Sequence, residues 1–376
     1  MSFPPSQGGS TRGTSPGAPQ DVSSRRATPE GAQVLGRGCW CGPLFVVGMP
    51  RSGTKLLRGL LGQHPRIRIP DIETDFFPFL VCWVREHGQP SSEAAFERLR
   101  AALQTATYFT YRAQREPPFS WEAWYRGCAG RYDAAGLFEG FIRSETGTTR
   151  TSNVIWGDKS PAYIRHVALV LEHFPGARIV HIVRDVRDYS LSVHNTWRKD
   201  IRRAAHEWAR DVGSAHRLCR ANPERCIEVT YESLLRAPTQ EMRRLSEFLG
   251  VDPSAGNSVR LDRPIEVHRD VAGWSEIKSD NLYKFATALT PRKIRSVETL
   301  AFDTMSLLGY KPLYARRQRR MGSLEQRLLQ LKDGAWLLAR GARQRGLAAT
   351  VRFHLSHARI ARCALPSERS SGESSG

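Results

Sequence analysis

The sequence contains no long apolar segment. No run approaches the ~18 apolar residues that a membrane-spanning helix requires, and the region after Met1 lacks the apolar core of a secretory signal. Residues 1–35 are instead rich in Gly, Pro, Ser and Thr, which predicts a disordered tail. These absences argue against a membrane-spanning or secreted chain and predict a cytoplasmic one.

The seven cysteines form no metal-binding pattern. The sequence has no Cys-x-x-Cys pair, and no His/Cys cluster has the spacing of a zinc site. Because a reducing cytoplasm keeps thiols unpaired, we expect free thiols, and the odd number fits this expectation.

Acidic residues and lysines are scarce beside arginine. The chain has 56 Lys and Arg against 37 Asp and Glu, a net charge of +19, and only eight of the 56 cations are lysines. An arginine excess with abundant Ala and Gly is also typical of a GC-rich genome. The excess is uneven, however, because the segment Arg316–Arg362 carries twelve cations and only two acids.

The most informative segment that is present is FVVGMPRSGTKLLRGLLGQHP, Phe45–Pro65. Leu44–Val47 predicts a buried strand, and Gly48–Gly53 predicts a glycine-bounded loop. The helix that follows has an apolar face formed by Leu56, Leu57, Leu60 and Leu61. Such a strand, loop and helix bind phosphate, because backbone N–H groups turn inward and the helix N-terminus adds partial positive charge.

The order of residues in this loop differs from that of an ATPase. A Walker A loop places lysine directly after the second glycine, whereas here Thr54 follows Gly53, Lys55 comes second, and Arg51 and Ser52 precede them. A cation inside the loop suits a nucleotide with a 5′-phosphosulfate better than a magnesium-bound triphosphate. A degenerate kinase loop and a plain strand-to-helix turn are the alternatives.

A second segment with phosphate-binding character is ARIVHIVRDVRDYSLSVHNTW, Ala177–Trp197. Its short β-branched run predicts a central parallel strand, closed by Arg184. Ser192 lies eight residues later in the predicted helix. A planar guanidinium binds a phosphate bidentately and a hydroxyl adds a donor. The alternative is a solvated charge cluster formed by Arg184, Asp185, Arg187 and Asp188.

Together the two segments resemble the sulfotransferases that use 3′-phosphoadenosine 5′-phosphosulfate (PAPS), most of all the branch with tyrosylprotein sulfotransferases and many bacterial homologues. The resemblance implies that Arg184 and Ser192 hold the 3′-phosphate. It also implies that protein cations neutralise the reacting charge, so that no metal is needed. The loop residues implied to bind the co-substrate are Arg51, Ser52, Gly53, Thr54 and Lys55.

The resemblance also implies catalytic residues. Glu73 is the nearest match to the glutamate that takes the acceptor proton; Asp71 and Asp75 are rivals, and a plain surface carboxylate is the alternative. Lys159, in the distinctive GDKSP sequence, matches the lysine that faces the sulfuryl group, although a helix N-terminal lysine is the other interpretation. Lys159 and Arg51 would together stabilise the negative charge that develops on the sulfuryl and bridging oxygens.

Two further positions are implied to contact the nucleotide. Tyr231 lies where the family commonly has a tyrosine near the adenosine, and Lys284 where a lysine reaches back to it. The family often has tryptophan beside that lysine, whereas this chain has Phe285. For Tyr231, the alternative interpretation is an ordinary aromatic residue at the end of a strand. The resemblance also matches Cys219 and Cys226 to a cysteine pair that is bridged in secretory members of the family.

We therefore predict an α/β fold, a P-loop-type parallel sheet with helices on both faces, plus a helical C-terminal extension. The predicted domains are a disordered tail at 1–35, a sulfotransferase domain at 43–314, and a basic helical extension with a disordered end at 315–376. The predicted reaction is sulfuryl transfer from PAPS to a hydroxyl on a carbohydrate, lipid, small molecule or tyrosine. A P-loop kinase or nucleotide switch, and a non-catalytic relic of the fold, are the alternatives.

The acceptor pocket and the C-terminal extension are less specific. Phe76 to Gly147 is rich in aromatics, which suits a sugar or aromatic acceptor, and packing in a helical lid explains them equally well. In the extension, Leu324, Leu328, Leu331 and Leu338 predict one apolar helix face. A helix packed on the domain is our first interpretation and peripheral membrane contact the second. We expect no nucleic-acid partner, because no recognised fold for one is present.

Overall fold

The computed structural model describes residues 39–115, 117–256 and 281–346, and within these ranges five parallel strands form one sheet. The predicted tail at 1–35 and residues 347–376 of the extension lie outside the described residues. The sheet order is β2-β3-β1-β4-β5. The strands are β1 (Leu44–Gly48), β2 (Ile67–Arg68), β3 (Ile155–Lys159), β4 (Arg178–Val183) and β5 (Cys226–Thr230).

Helices connect and cover these strands. Before β3 they are α1 (Thr54–Leu61), α2 (Phe77–His87), α3 (Glu93–Leu103), α4 (Thr107–Arg112), α5 (Trp121–Gly127) and α6 (Ala134–Thr146). After a 3₁₀ turn at Pro161–His166 they are α7 (Val167–His173), α8 (Val186–Trp197), α9 (Ile201–Ala221), α10 (Tyr231–Arg236), α11 (Pro238–Leu249), α12 (Phe285–Ala288), α13 (Pro291–Leu307) and α14 (Ser323–Arg345).

The strand order changes direction at β1. The chain first builds β2 and β3 on one side of β1, then β4 and β5 on the other. The register pairs Gly48, the last residue of β1, with Ile182, one residue before the end of β4. Because open parallel sheets bind ligands where the strand order reverses, the carboxyl ends of β1 and β4 mark the expected crevice.

Both faces of the sheet are covered, as predicted. Phe45 and Val47 of β1 point into one core, and Leu44 and Val46 point into the other. All four side chains are buried because side chains alternate along a strand. The predicted apolar face of α1 packs into the second core, where its four leucines are buried. We call Phe45–Pro65 and Ala177–Trp197 the two phosphate segments. The strands and helices predicted in both of them are thus confirmed.

The aromatic residues between Phe76 and Gly147 form a packed helical lid. Phe76 has no exposed surface, and its ring lies 4.9–6.3 Å from five other aromatic rings. Of the aromatics that suggested a sugar or aromatic acceptor, only Tyr111 lines the large cleft described below. Packing therefore accounts for the others, because aromatic rings bury large apolar areas in such clusters.

The C-terminal extension contains the predicted helix, α14, and it packs against α9. The packed face is not the predicted leucine face, which stays exposed. In the described part of the chain, no helix combines the length and the apolar character that crossing a bilayer requires.

Candidate active site

A cleft of about 890 Å³ opens where β1 and β4 end. Nine of the residues selected from the sequence line it, and the remaining two, Ser52 and Lys159, are buried immediately beside lining residues. The structure thus brings the whole selected set to one place. The nine lining residues are Arg51, Gly53, Thr54, Lys55, Glu73, Arg184, Ser192, Tyr231 and Lys284.

The loop between β1 and α1 has a backbone that few residues adopt. Arg51 has φ of 75° and Gly53 has φ of 97°. Glycine is required at position 53 for a second reason, since a Cβ there would lie 2.5 Å from the ring of Tyr231. The Oγ of Ser52 is buried and lacks a hydrogen-bond partner among the described residues. A polar atom of this kind, beside a helix N-terminus, fits an anionic ligand.

The two phosphate segments contact each other directly. Nε of Arg51 donates a hydrogen bond to Oγ of Ser192 over 3.2 Å. Nη1 of Arg184 donates to the backbone carbonyl of Arg51 over 3.1 Å, across 133 residues of sequence. The Arg184 guanidinium also lies 4.5 Å from the centre of the Tyr231 ring. Four of the predicted nucleotide contacts therefore form one cluster.

The predicted alternative of a solvated charge cluster at the end of β4 is wrong. Arg184, Asp185, Arg187 and Asp188 are between 1 % and 7 % exposed. Arg187 forms ion pairs with Asp185 and with Glu298, at 2.6 and 2.9 Å. Because buried charges need partners, these residues belong to an internal network that supports the cleft wall.

Asp188 lines the cleft and was not among the site residues selected from the sequence. Its carboxylate accepts the backbone N–H groups of Tyr283 and Phe285, over 2.7 and 2.9 Å. These bonds hold Lys284, which lies between the two donors, at the cleft. Asn281, also missed, donates to the Tyr231 hydroxyl over 2.7 Å. The spacing of Asp188 could have indicated this place, because Asp188 follows Arg184 by four residues, about one helical turn.

Glu73 and Lys159 form an ion pair beside the loop. Nζ of Lys159 lies 2.5 Å from Oε1 of Glu73, and the lysine side chain is fully buried while the glutamate side chain is 33 % exposed. Lys159 is the last residue of β3, so its interpretation as a helix N-terminal lysine is wrong. Glu73 lines the cleft rather than the outer surface. The pair places a carboxylate in the cleft wall and a buried ammonium directly behind it.

The residues after Lys159 hold the Glu73 loop in place. Oγ of Ser160 accepts the backbone N–H of Thr74 over 2.9 Å. The Tyr163 hydroxyl accepts the backbone N–H of Phe77 over 2.9 Å. The distinctive GDKSPAY sequence therefore has two roles, because it supplies Lys159 and also positions the loop that carries Glu73.

Residues 43–254 match the model of the sulfotransferase family, which is more than half of the chain. The chain belongs to the sulfotransferase family. The family resemblance found at the two phosphate segments is thereby confirmed, as is the α/β fold. The matched region starts where the predicted domain starts, and the predicted end at 314 stays a prediction.

The relatives of this sulfotransferase include protein-tyrosine sulfotransferases. That of Drosophila melanogaster is 25 % identical over 289 residues, covering 72 % of this chain and 52 % of the relative. Protein-tyrosine sulfotransferase A of Caenorhabditis elegans is 24 % identical over 216 residues, covering 55 % and 50 %. The chain thus spans about half the length of these curated relatives.

Solved sulfotransferase structures show weaker similarity. The sulfotransferase domain from the curacin biosynthetic pathway has a TM-score of 0.48 and 17 % identity, covering 73 % of this chain and 100 % of that one. Mouse sulfotransferase SULT7A1, solved in complex with PAP, has a TM-score of 0.37 and 13 % identity, covering 78 % and 88 %.

Electrostatics separates the three carboxylates, Glu73, Asp71 and Asp75, that were considered from the sequence as the base. Burial, with the neighbouring charges of Glu73 and Asp158, raises the pKa of Asp75 to about 7. Asp71 instead forms an ion pair with Arg58 at the surface. Burial and the charge of Lys159 lower the pKa of Lys55, because several cations converge here. The cleft is therefore cationic beside the loop between β1 and α1. The carboxyl group of Asp75, two residues after Glu73, can take up a proton.

The raised pKa of Asp75 predicts a pH-dependent stability. Unfolded aspartate titrates near 3.8, so the folded protein holds the extra proton between pH 4 and 7 and loses stability as the pH rises through that window. Asp75→Asn removes this loss, and asparagine tolerates the φ of 54° at this position. We therefore expect the change in Tm caused by Asp75→Asn to be more favourable at pH 8 than at pH 4, by at least roughly 2–4 °C.

The measurement is Tm by differential scanning calorimetry across that pH range. Asp71→Asn is the matched control, because Asp71 has an exposed side chain and no buried carboxyl to relieve. An Asp75→Asn shift that is equal at pH 4 and pH 8 would contradict the prediction.

One group in the described residues has the chemistry to hold a metal ion. Ligand atoms of His181, Cys219 and Glu228 lie within 4.8 Å of one another, and none of the three residues lines the cleft. The Glu228 carboxylate is already hydrogen-bonded to His181 and to His216, at 2.8 and 2.6 Å. That no metal takes part in the reaction stays a prediction.

None of the six described cysteines forms a disulfide, and this includes Cys219 and Cys226. Cys363 lies outside the described residues.

Proposed function

We propose that this sulfotransferase moves a sulfuryl group from PAPS to a hydroxyl-bearing acceptor. The observation that carries the proposal is the contact between the two phosphate segments, in which Arg51 meets Ser192 and Arg184 meets the Arg51 carbonyl. A cleft that joins two anion-binding groups suits a nucleotide with phosphate at both its 3′ and 5′ positions.

The residues present fit such a co-substrate. Besides the buried Ser52 hydroxyl, Nε of Arg184 is buried without a hydrogen-bond partner among the described residues. Because an unsatisfied buried donor is costly, both groups favour a ligand that accepts hydrogen bonds. In this proposal Ser52, Gly53, Thr54 and Lys55 bind the 5′ end. Arg184 and Ser192 then bind the 3′-phosphate, and Tyr231 and Lys284 lie at the adenosine end.

Glu73, Arg51 and Lys159 are the proposed catalytic residues. Glu73 accepts the proton of the acceptor hydroxyl, which makes that oxygen nucleophilic. PAPS supplies the sulfuryl group, whose bond to the phosphate oxygen breaks as the bond to the acceptor oxygen forms. The ammonium of Lys159 and the guanidinium of Arg51 stabilise the negative charge that develops on oxygen.

Calorimetric titration tests this function. We expect adenosine 3′,5′-bisphosphate to bind, and ATP with Mg²⁺ to bind far more weakly. The reverse preference would indicate the kinase or nucleotide switch. Binding of the bisphosphate without sulfuryl transfer to any sugar, lipid, phenol or peptide hydroxyl would indicate a relic of the fold. A cytoplasmic location and the absence of nucleic-acid partners stay predictions.

Arg184→Ala is expected to weaken adenosine 3′,5′-bisphosphate selectively. Losing a charge-assisted contact costs about 1.5–3 kcal/mol, roughly ten- to hundredfold in affinity. Adenosine 5′-monophosphate lacks the 3′-phosphate, so its affinity should change little. Titration of both nucleotides into both proteins makes the comparison, and equal losses would reject the assignment of Arg184.

A further inference from the structure

Helix α14 presents a row of apolar side chains to solvent. Leu324, Leu328, Leu331 and Leu338 are 70 %, 58 %, 71 % and 43 % exposed, and Ala335 is also exposed. At 3.6 residues per turn these five residues lie within about 80° of arc. We call this row the leucine stripe. Its length along one face excludes the interpretation that these are singly scattered surface leucines.

The opposite face of α14 attaches the helix to the domain through polar contacts. Glu325 forms an ion pair with Arg202 at 3.2 Å, and Asp333 forms one with Arg203 at 2.9 Å. Leu329, on the same face, is only 6 % exposed. A helix that packs on a soluble domain normally buries its apolar face. Here the ion pairs hold the helix so that its apolar face points away from the protein.

The surface beside the leucine stripe is basic. Arg327 and Lys332 are exposed on its two sides, and Nζ of Lys332 also lies 3.8 Å from the Asp200 carboxylate, at the edge of the domain. The only acids of α14, Glu325 and Asp333, are engaged on the packed face. Apolar side chains bordered by cations complement an anionic lipid surface. A second copy of the helix would instead bring like charges together, which disfavours pairing through the stripe.

We propose that α14 binds the surface of an anionic membrane, with the leucine stripe inserted among the lipids and Arg327 and Lys332 at the headgroups. The C-terminal half of the helix adjoins the cleft, because Arg340 donates to the carbonyl of Thr196 over 3.3 Å and Trp197 lines the cleft. The packed face of the helix, opposite the stripe, therefore lies next to a wall of the cleft. That membrane binding serves acceptors held in the membrane rests on the proposed function.

Vesicle flotation of the full chain tests the proposal without any sulfuryl transfer, so the two proposals fail separately. We expect binding to vesicles of equal parts phosphatidylcholine and phosphatidylglycerol, and little binding to phosphatidylcholine alone. Added salt should weaken the binding. Leu328→Ser with Leu331→Ser should lower the affinity roughly tenfold to hundredfold, because two inserted apolar side chains are lost.

Leu307→Ser with Leu313→Ser is the matched control, since these leucines are 53 % and 59 % exposed outside α14. It should float like the wild type. Arg327→Gln with Lys332→Gln should reduce binding to the anionic vesicles. Equal losses of binding in the control variant and in the Leu328→Ser, Leu331→Ser variant would overturn the proposal.

Failure of the wild type to float would also overturn it. A dimer of the wild type that becomes a monomer only in the Leu328→Ser, Leu331→Ser variant, as measured by light scattering, would also overturn the proposal. The leucine stripe would then contact a second copy of the chain.

Discussion

Replacing Glu73 with glutamine is expected to lower turnover by about 10²–10⁴-fold, the usual contribution of a general base. Glutamine keeps the shape of the side chain and its hydrogen bond to Lys159, but it accepts no proton. Affinity for adenosine 3′,5′-bisphosphate should stay nearly unchanged, because Glu73 belongs to neither phosphate segment. Steady-state kinetics with a working acceptor, together with calorimetry, measures both quantities.

The neighbouring carboxylates provide the controls. Asp71→Asn should have a mild effect, since Asp71 is paired with Arg58 at the surface. Near-normal turnover in Glu73→Gln, with a large loss in Asp75→Asn, would transfer the role of base to Asp75. In that case the rate should rise with pH around 7, because burial raises the pKa of Asp75 to about that value.

Replacing Lys159 with methionine is expected to lower turnover by about 10²–10³-fold, as for the loss of a group that stabilises transition-state charge. Methionine occupies a similar volume in the buried site, so the effect on folding should be smaller than that of truncation. Nucleotide affinity should fall less than turnover, since the role of Lys159 is at the transferred group.

The double variant Lys159→Met with Glu73→Gln tests whether the ion pair acts as a unit. Groups that act together lose activity non-additively, so the double variant should be little worse than the poorer single one. Lys55→Met is the matched control, since Lys55 is the lysine of the loop region that lines the cleft. A larger loss of turnover in Lys55→Met than in Lys159→Met would favour the Walker-like interpretation of the loop.

Both phosphate segments were predictable because each is a local unit. A β-branched run, a glycine loop and a helix with period-3.6 leucines depend on residues close in sequence. The predicted strands, the helix after Gly53 and the positions of Arg184 and Ser192 therefore agree with the structure. The exposure of the Arg184 to Asp188 cluster was not predictable in this way, because it depends on what packs over it.

Which face of a helix is buried was equally beyond local pattern. The leucines of α14 predict an apolar face, and packing normally covers such a face. The structure instead uses Glu325 and Asp333 to attach the helix, because arginines of α9 lie opposite them. Likewise, most aromatics between Phe76 and Gly147 pack on one another rather than on the cleft.

By itself, the sequence determined the family, the α/β fold and nine of the residues that line the cleft, because these follow from short motifs. Tertiary structure alone decided how those residues meet. Lys159 reaches Glu73 across 86 residues, and Arg184 reaches the Arg51 carbonyl across 133. These contacts depend on the strand order, which places β3 and β4 on either side of β1. That order results from long-range packing, on which neighbouring residues carry no information.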